Sequence, residues 1–231
     1  MNSSQLRGFL TGLIYGDGSI DNGVTKRAFR IKSIYPDFLP YIKNELESCT
    51  NFKININTYP ERVSNGCTHK AYSELVIKSH PYFSKKYHHF YDDFKNRVAS
   101  NESLGWLNDV GLALWYMSDG YMCLVGKKNG HIRDRRVDIC TDRYSERTVD
   151  RMITMLEARF GLQCTKSKRG NNFRIRIKSA SYRRFYDIVS PYIVGSMRHK
   201  LYFGYEKKPE WMTDSMWNEQ CRLASAMTLA A

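Results

Sequence analysis

Hydrophobic residues in the first hundred positions recur either at helical spacing or in alternation with polar residues. These two periods predict helices over 6–15, 36–47 and 80–94 and strands over 29–32, 52–57 and 71–78. In the last of these strands, the alternation predicts that Leu75 and Ile77 face the core and that Glu74 and Lys78 face outward. The order of elements indicates a small α+β domain.

The second hundred residues repeat this order of elements. The same reading predicts a helix over 107–117, a strand over 136–141 and a strand over 173–178. Between the two strands, Ser145 is placed to cap a helix and Gly161 to end it. The two halves of the chain therefore share one plan.

Two nine-residue segments, 10–18 and 112–120, are nearly the same in character. Each is an apolar, helix-like run that ends in a small residue, an aspartate and a glycine, and the two aspartates are 102 residues apart. The triplets 77–79 and 177–179 repeat at an offset of 100. Repeats of this length predict two copies of one domain. We expect an N-terminal repeat over 1–99, a C-terminal repeat over 100–204 and an unmatched extension over 205–231.

Glycines form a stripe on the first motif helix. Gly8, Gly12 and Gly16 are four residues apart and lie on one helical face, where each costs about 1 kcal/mol of helix stability relative to alanine. Such a stripe favours close approach by another backbone, and the natural partner is the helix over 107–117, in which Ala113 is also small.

A crossing of these helices would make Asp17 and Asp119 neighbours. Two carboxylates at short distance repel each other unless a cation lies between them, and oxygen ligands favour Mg²⁺. An Asp-Gly pair after one helix would indicate only a turn. The same pair at the same place in two repeats predicts a magnesium site.

Composition narrows the class of partner. The chain has 231 residues and a formal net charge of +13, and its basic residues are interspersed with aromatic and strand-forming residues. This pattern predicts a folded surface that binds nucleic acid.

The six cysteines never approach CxxC spacing, so we expect reduced thiols in an intracellular reducing compartment, cytoplasm or organelle matrix. No apolar run is long enough for a membrane span, and the first residues lack the basic start of a signal peptide, so neither membrane association nor secretion is expected.

Cations and amides follow one face of several predicted strands. Three cations in register on the strand over 173–178 repel each other in water, and they are explained if phosphates or guanine edges lie opposite. A solvated sheet face is the alternative reading. The residues expected to contact nucleic acid are Arg30, Lys32, Lys53, Asn55, Asn57, Glu74, Lys78, Lys127, Lys128, Arg136, Asp138, Lys166, Lys168, Arg174, Arg176 and Lys178.

On these two motifs and their spacing, the chain resembles the single-chain, two-repeat LAGLIDADG homing endonucleases over roughly residues 6–204. The resemblance implies an α+β fold of two pseudo-symmetric αββαββα repeats, each with a four-stranded antiparallel sheet, forming a DNA-binding saddle. It implies a monomer that binds a long, asymmetric double-stranded DNA site and cuts both strands across the minor groove. The products would carry short 3′ overhangs, and the cut would initiate intron or intein homing.

The resemblance also assigns roles to residues. Asp17 and Asp119 match the metal-binding carboxylates, and Gly16 and Ser118 match positions that add a backbone carbonyl ligand. Lys200 matches the basic residue near one scissile phosphate. Lys95 is the choice for the other, and Arg97 remains its alternative. Asp142 is a candidate for one assisting position near the metals.

The resemblance further implies where the elements missing from the pattern lie. The first strand of each sheet is expected within 19–26 and 121–133, and 126–130 is expected to form a hairpin turn.

Three other functions compete with DNA cutting. An RNA maturase that assists splicing of its host intron is the main alternative, because members of the same family have this role on the same fold. The retention of both aspartates favours cutting. A DNA-binding module without activity leaves the two Asp-Gly helix ends unexplained. A basic protein of lipid surfaces is the least favoured, since no helix has a broad basic face opposite an apolar one.

Overall fold

A computed structural model describes residues 1–21, 27–64, 67–128 and 131–229, with side chains at all of these except 64, 126–128, 131, 133, 228 and 229. The chain divides into two compact units, which are Met1–Ser118 with Val194–Ser196 and Asp119–Ile193 with Met197–Ala231. The division into sequence repeats at 99 and 100, with an extension from 205, remains a prediction.

The helices are α1 (Ser3–Tyr15), α2 (Phe38–Glu47), α3 (Pro81–Lys86), α4 (Asn101–Trp106), α5 (Asp109–Asp119), α6 (Glu146–Phe160), α7 (Tyr182–Val189) and α8 (Asp214–Leu229). Short 3₁₀ turns cover Tyr87–His89, Ser179–Ser181, Ser190–Tyr192 and Gly195–Leu201. The strands are β1 (Ser19–Ile20), β2 (Phe29–Ser33), β3 (Ile54–Tyr59), β4 (Arg62–Ser64), β5 (Cys67–His69), β6 (Tyr72–Ile77), β7 (Gly120–Lys128), β8 (His131–Ile139), β9 (Cys164–Arg169) and β10 (Asn172–Ile177).

Each unit contains one four-stranded antiparallel sheet. The strand order is β1-β2-β6-β3 in the first unit and β7-β8-β10-β9 in the second, and β4 pairs separately with β5. The expected α+β fold with four-stranded antiparallel sheets is confirmed. The first strand of each sheet lies in the expected window, at β1 and β7. Residues 22–26 of the first window, and 129–130 of the expected hairpin turn, lie outside the described residues.

Alternation along the strands places the core as expected. Ile31, Leu75 and Ile77 are at most 1% exposed, and α2 covers that face of the first sheet. In the second unit, α6 packs on β9 and β10. Ser145 accepts a hydrogen bond from the amide of Thr148 at 3.3 Å, and Gly161 ends the helix in the left-handed region with φ 65°.

The helix predicted over 80–94 is wrong in its second half. It ends as α3 at Lys86 and continues only as a 3₁₀ turn to His89. Asp92 then accepts a hydrogen bond from the amide of Asn96 at 2.8 Å, and this local bond closes a turn in competition with the helix. Phe94, the last residue of the predicted helix, is 86% exposed.

The first unit contains the contact between the two motif helices. A Cβ added at Gly12 would lie 2.0 Å from the carbonyl oxygen of Gly111, and one added at Gly16 would lie 2.4 Å from Cβ of Ser118. The expectation that the glycine stripe of α1 meets the second motif helix is confirmed. The residue of that helix nearest to Gly12 is Gly111.

Among the described residues, none of the helices combines the length and the apolar character that a membrane crossing requires.

Candidate active site and sheet faces

The first motif ends at an exposed carboxylate. Asp17 follows the last turn of α1, and its side chain is exposed, whereas the residues on either side of it are buried. The last carbonyl groups of a helix lack intrahelical partners and carry partial negative charge. A cation is therefore expected beside this helix end, and the structure supplies one.

Arg97 binds the backbone at this end of α1. Its guanidinium donates hydrogen bonds to the carbonyl oxygens of Ile14, of Gly16 at 3.2 Å and of Gly18 at 2.6 Å. The ring of Tyr91 lies 5.8 Å from the guanidinium carbon. Arg97 thus holds the backbone on both sides of Asp17.

Lys95 lies on the exposed turn that precedes Arg97. Its amide donates to the carbonyl of Asp92 at 3.0 Å, and its φ is 67°, a left-handed conformation that is uncommon for a residue with a side chain. The side chain is exposed. Of the two cations proposed for the first half, Arg97 is therefore the one in contact with the motif.

The second motif ends at Asp119, whose side chain is 18% exposed. The carbonyl of Asp119 accepts a hydrogen bond from the amide of Cys140 at 2.9 Å, which ties the end of α5 to the residue after β8. A guanidinium nitrogen of Arg143 lies 4.0 Å from the carboxylate. Sequence reasoning missed Arg143, because nothing in its spacing relates it to the motif.

Lys200 contacts the same place in the second unit that Arg97 contacts in the first. Its ammonium donates to the carbonyl oxygen of Gly120 at 3.0 Å. Gly18 and Gly120 are the glycines that directly follow the two aspartates. In each unit, a cation therefore binds the carbonyl immediately after the motif aspartate.

The donor set for a metal is sparse. Among the residues that the structure describes, no group of three or more His, Cys, Asp or Glu side chains could hold a metal ion. Mg²⁺ often binds through one or two carboxylates while waters and substrate phosphates complete its shell. Asp17 and the carbonyl groups of Gly16 and Ser118 in the first unit, and Asp119 in the second, are hard oxygen donors of the kind that fit such an ion.

The outer face of the first sheet carries mainly exposed side chains. Six of the residues expected there are exposed, namely Arg30, Lys32, Lys53, Asn55, Asn57 and Lys78. Glu74 differs from expectation, since it is 8% exposed. The reason is that β6 is an inner strand, so Glu74 is flanked by Lys32 on β2 and Asn57 on β3 and pairs with Arg30 at 3.5 Å.

The outer face of the second sheet is internally paired. Arg174 forms a bidentate ion pair with Asp142, at 2.9 and 2.5 Å, and Arg176 forms one with Asp138, at 2.8 and 3.0 Å. Tyr121 donates to Asp138 at 3.1 Å. Each of the two arginines is therefore paired with a carboxylate of the same chain.

These pairs lower the net charge of the surface. Hydrogen bonds from Arg174 hold the pKa of the Asp142 carboxyl below its usual range, so this carboxylate stays ionised at neutral pH. Asp138 is fully buried, and its hydrogen bonds raise the pKa of Arg176 further above neutrality. A buried ion pair contributes little net stability, because desolvation offsets the attraction.

Two lysines expected on the outer face lie on the opposite one. Lys166 pairs in register with Ile175, and Lys168 with Phe173, so both point to the face that α6 covers. Lys166 forms ion pairs there with Glu146 at 2.5 Å and Asp150 at 2.8 Å. The outer positions of β9 are Thr165, Ser167 and Arg169, as their pairing with Arg176, Arg174 and Asn172 requires.

The remaining expected contact residues are placed as follows. Arg136 is half-buried on the outer face and pairs with Asp134, and Lys178 is exposed just beyond β10. The side chains of Lys127 and Lys128 lie outside the described residues, although their backbone belongs to β7.

A family model for the LAGLIDADG DNA endonuclease family matches residues 7–185. The "Probable intron-encoded endonuclease 1" of Wickerhamomyces canadensis is 28% identical over 124 residues, which are 54% of this chain and 52% of that protein. The chain therefore spans about half the length of this curated relative. The "Cytochrome b mRNA maturase bI2" of Debaryomyces hansenii is 22% identical over 196 residues, which cover 82% of this chain and 71% of that protein.

Among solved structures, the chain is similar to "The homing endonuclease I-WcaI bound to its DNA recognition sequence". The TM-score is 0.75 at 21% identity, with 88% of each chain covered. At this level of identity the similarity shows a common fold.

Proposed function

This chain belongs to the LAGLIDADG DNA endonuclease family, and on that premise we propose that it is a site-specific double-strand DNA endonuclease. It hydrolyses both strands of a long, asymmetric target across the minor groove, leaves short 3′ overhangs and initiates homing of an intron or intein. The observation that carries the proposal is the repeated arrangement at the motif ends. At the end of each motif an aspartate follows a run of buried helical residues, and a cation binds the next carbonyl along the chain.

Asp17 and Asp119 are the proposed ligands of divalent metal, which we take to be Mg²⁺, with the carbonyl groups of Gly16 and Ser118 as further ligands. An Mg²⁺ ion held by these groups would supply Lewis-acid chemistry for phosphodiester hydrolysis. The chain's own contribution is to hold the two carboxylates at fixed helix ends. The close contact of Gly16 with Ser118 supports this role. Gly16 has no side chain that could turn, so the two helix ends that meet there have little freedom to move.

Lys200 and Arg97 are the proposed cations beside the two scissile phosphates. Both have their charged groups on the backbone that follows the aspartate, so they lie close to the phosphate that the metal would bind. A guanidinium stays charged at neutral pH and can stabilise the negative charge that develops on a phosphate. Arg97 replaces Lys95 in this role.

The first expected result separates these two residues. Changing Arg97 to Lys keeps the charge but replaces two separate terminal nitrogens, which bind three carbonyls, with a single ammonium nitrogen. We therefore expect cutting of one strand to slow by about 100-fold, as a misplaced catalytic group can. Lys95→Met should cut both strands within about threefold of the wild-type rate, since an exposed rim charge contributes little. Single-turnover cutting with each strand labelled separately measures both. Equal rates for the Arg97→Lys protein and the wild type would contradict the assignment.

The outer sheet faces are the proposed DNA-reading surfaces, each lying in the major groove. The exposed cations and amides of the first sheet support contacts to phosphates and base edges. The two arginines of the second sheet, each held by a carboxylate, support base contacts of fixed orientation. DNA binding should weaken steeply with salt, with a log–log slope of about −0.9 per phosphate contacted.

The second expected result distinguishes the two arginines. Arg174→Ala should lower affinity for the cognate site by about 1–3 kcal/mol, the value of a bidentate base contact, with little change in stability, since Asp142 can be hydrated. Arg176→Ala leaves the fully buried Asp138 without its cation, so we expect a loss of about 3–5 kcal/mol in unfolding free energy.

Fluorescence anisotropy with Ca²⁺ and thermal unfolding measure these two quantities. The double variant Arg176→Met, Asp138→Asn is the control, because it removes both charges and should recover most of the stability. Unchanged stability of the Arg176→Ala protein would contradict the importance of this ion pair.

The proposed endonuclease acts as a monomer, because one chain supplies both motif helices. All six cysteines are free thiols, which supports a reducing compartment within the cell. The similarity to a cytochrome b mRNA maturase favours one second function, assistance in splicing the host intron.

The test of the proposed function uses the uninterrupted form of the locus that carries the gene. This DNA is incubated with purified protein and Mg²⁺, with Ca²⁺ as the control, and the joined flanks are taken as the cognate site. Cutting near the junction with Mg²⁺ alone is the expected result. Tight binding without cutting, together with binding of the intron RNA, would instead support the maturase.

A further inference from the structure

The residues after 204 have no counterpart in the first repeat, yet they pack closely on the second unit. Met212, Met216 and Leu223 are at most 5% exposed, and the ring of Trp211 lies 5.4 Å from that of Phe203. Helix α8 therefore forms part of the core of this unit. Its polar contacts show which part of the unit it touches.

Gln220 is the buried polar residue of α8, at 2% exposure. Its side-chain oxygen accepts a hydrogen bond from the amide of Phe203 at 2.6 Å, and its side-chain nitrogen donates to the carbonyl of Leu201 at 2.9 Å. Both ends of one amide are thus bound to backbone groups two residues apart. An apolar residue would be enough for packing alone. The amide of Gln220 therefore indicates a specific role in holding this backbone.

The backbone held in this way directly follows Lys200. The segment Gly195–Leu201 is a 3₁₀ turn, whose hydrogen bonds are poorer than those of an α-helix. Glu219, the neighbour of Gln220, binds Arg198 on the other side of Lys200 at 2.6 Å. Helix α8 therefore holds the chain on both sides of this lysine.

Arg135 adds a third hold on the same segment. Its guanidinium donates to the carbonyl groups of Phe203 and Gly204, each at 2.8 Å. In the first unit, the equivalent cation is held differently, because Arg97 pairs through its backbone with Tyr91 in a β-bridge. In the second unit, α8 holds the backbone beside the cation, and in the first unit the β-bridge holds it.

We infer that Gln220 is a positioning residue, which fixes the backbone after Lys200 so that the ammonium stays on the Gly120 carbonyl beside Asp119. The extension after residue 204 is thus a brace for one of the two active sites. This inference rests on the proposed function, since it assigns a role through Lys200.

Strand-resolved cutting tests the inference, because each active site serves one strand. Gln220→Met keeps the length of the side chain and removes both hydrogen bonds. We expect the strand cut at the Asp119 site to slow by about 10- to 100-fold, as displacement of a catalytic group does, while the other strand is cut within about twofold of the wild-type rate. Affinity for the cognate site should be unchanged. Asn218→Ala, at an exposed position on the same helix, is the matched control and should cut both strands normally.

A double-variant cycle separates positioning from general destabilisation. In a Lys200→Met background, Gln220→Met should cause no further slowing of the strand cut at the Asp119 site, because the residue it positions is already absent. Equal slowing of both strands, or independent effects in the cycle, would overturn the inference. If Gln220→Met does not fold, Glu219→Gln tests the same hold through Arg198 and should give the same bias with a smaller amplitude.

Failure of the proposed function itself has a different signature. If the wild-type protein cuts neither strand of the cognate site, the endonuclease proposal is wrong. If the wild type cuts both strands and Lys200→Met gives a strand bias, but Gln220→Met and Glu219→Gln give none, only the role of α8 is wrong.

Discussion

Asp17→Asn and Asp119→Asn are each expected to abolish double-strand cutting while DNA binding survives. Asparagine has nearly the same shape as aspartate, but its neutral amide is a poor ligand for Mg²⁺. A metal that stabilises transition-state charge contributes several kcal/mol, so we expect double-strand cutting to fall by about 1,000-fold or more. Supercoiled plasmid that carries the cognate site should not become linear. Affinity measured without metal should be equal or higher, because a negative charge near the phosphates has been removed.

Asp93→Asn is the matched control for charge. It removes an exposed carboxylate from the same unit as Asp17, so it changes the net charge equally without touching a motif. This protein should cut at the wild-type rate. Cutting at the wild-type rate by the Asp119→Asn protein would remove the metal site from the account.

Gly12→Ala is expected to destabilise the first unit strongly. The added Cβ would lie 2.0 Å from the carbonyl oxygen of Gly111 and 2.5 Å from its carbonyl carbon, and neither atom belongs to a side chain that could turn away. The two helices would have to separate, and we expect a loss of about 3 kcal/mol in the free energy of unfolding, as for other overpacked cores. For a chain of this length, this corresponds to a fall of about 6–12 °C in Tm.

Gly105→Ala makes the matched comparison. Gly105 is an exposed residue of α4, and a Cβ added there meets no atom within 4 Å. Alanine is the better helix former, so this change should raise the free energy of unfolding by about 0.5–1 kcal/mol. The same substitution is thus expected to have opposite signs at the two positions. A Gly12→Ala protein as stable as the wild type would show that the helices do not depend on this contact.

The sequence predicted the elements and the motif ends, because both depend on local patterns. Alternation located β2, β6 and β10, and helical spacing with a capping serine located α6. The Asp-Gly helix ends were found because the same pattern occurs twice. These features need no knowledge of which strand lies beside which.

Features that depend on neighbours across the sheet could not be predicted in the same way. Glu74 alternates like an outward residue, and its burial follows from the position of β6 inside the sheet. Lys166 was expected to contact nucleic acid without a strand being predicted around it. The register of β9 places it on the face that α6 covers, and a shift of one residue would reverse that face.

The partners of the cations could not be predicted from the sequence either. The ion pairs of Arg174 and Arg176 join residues more than 30 positions apart. The register of β8 and β10 sets Arg176 opposite Asp138, and the partner of Arg174, Asp142, lies beyond the end of β8. The choice of Arg97 over Lys95 required the positions of three carbonyl groups.

The central claim is that two sites, one at each motif aspartate, each cut one strand at a defined phosphate. Sequencing of both new ends after Mg²⁺-dependent cutting of the cognate site tests this claim most directly. One cut is expected in each strand, staggered to leave short 3′ overhangs, and neither cut is expected with Ca²⁺. Cuts scattered over many positions, or confined to one strand in the wild-type protein, would contradict it.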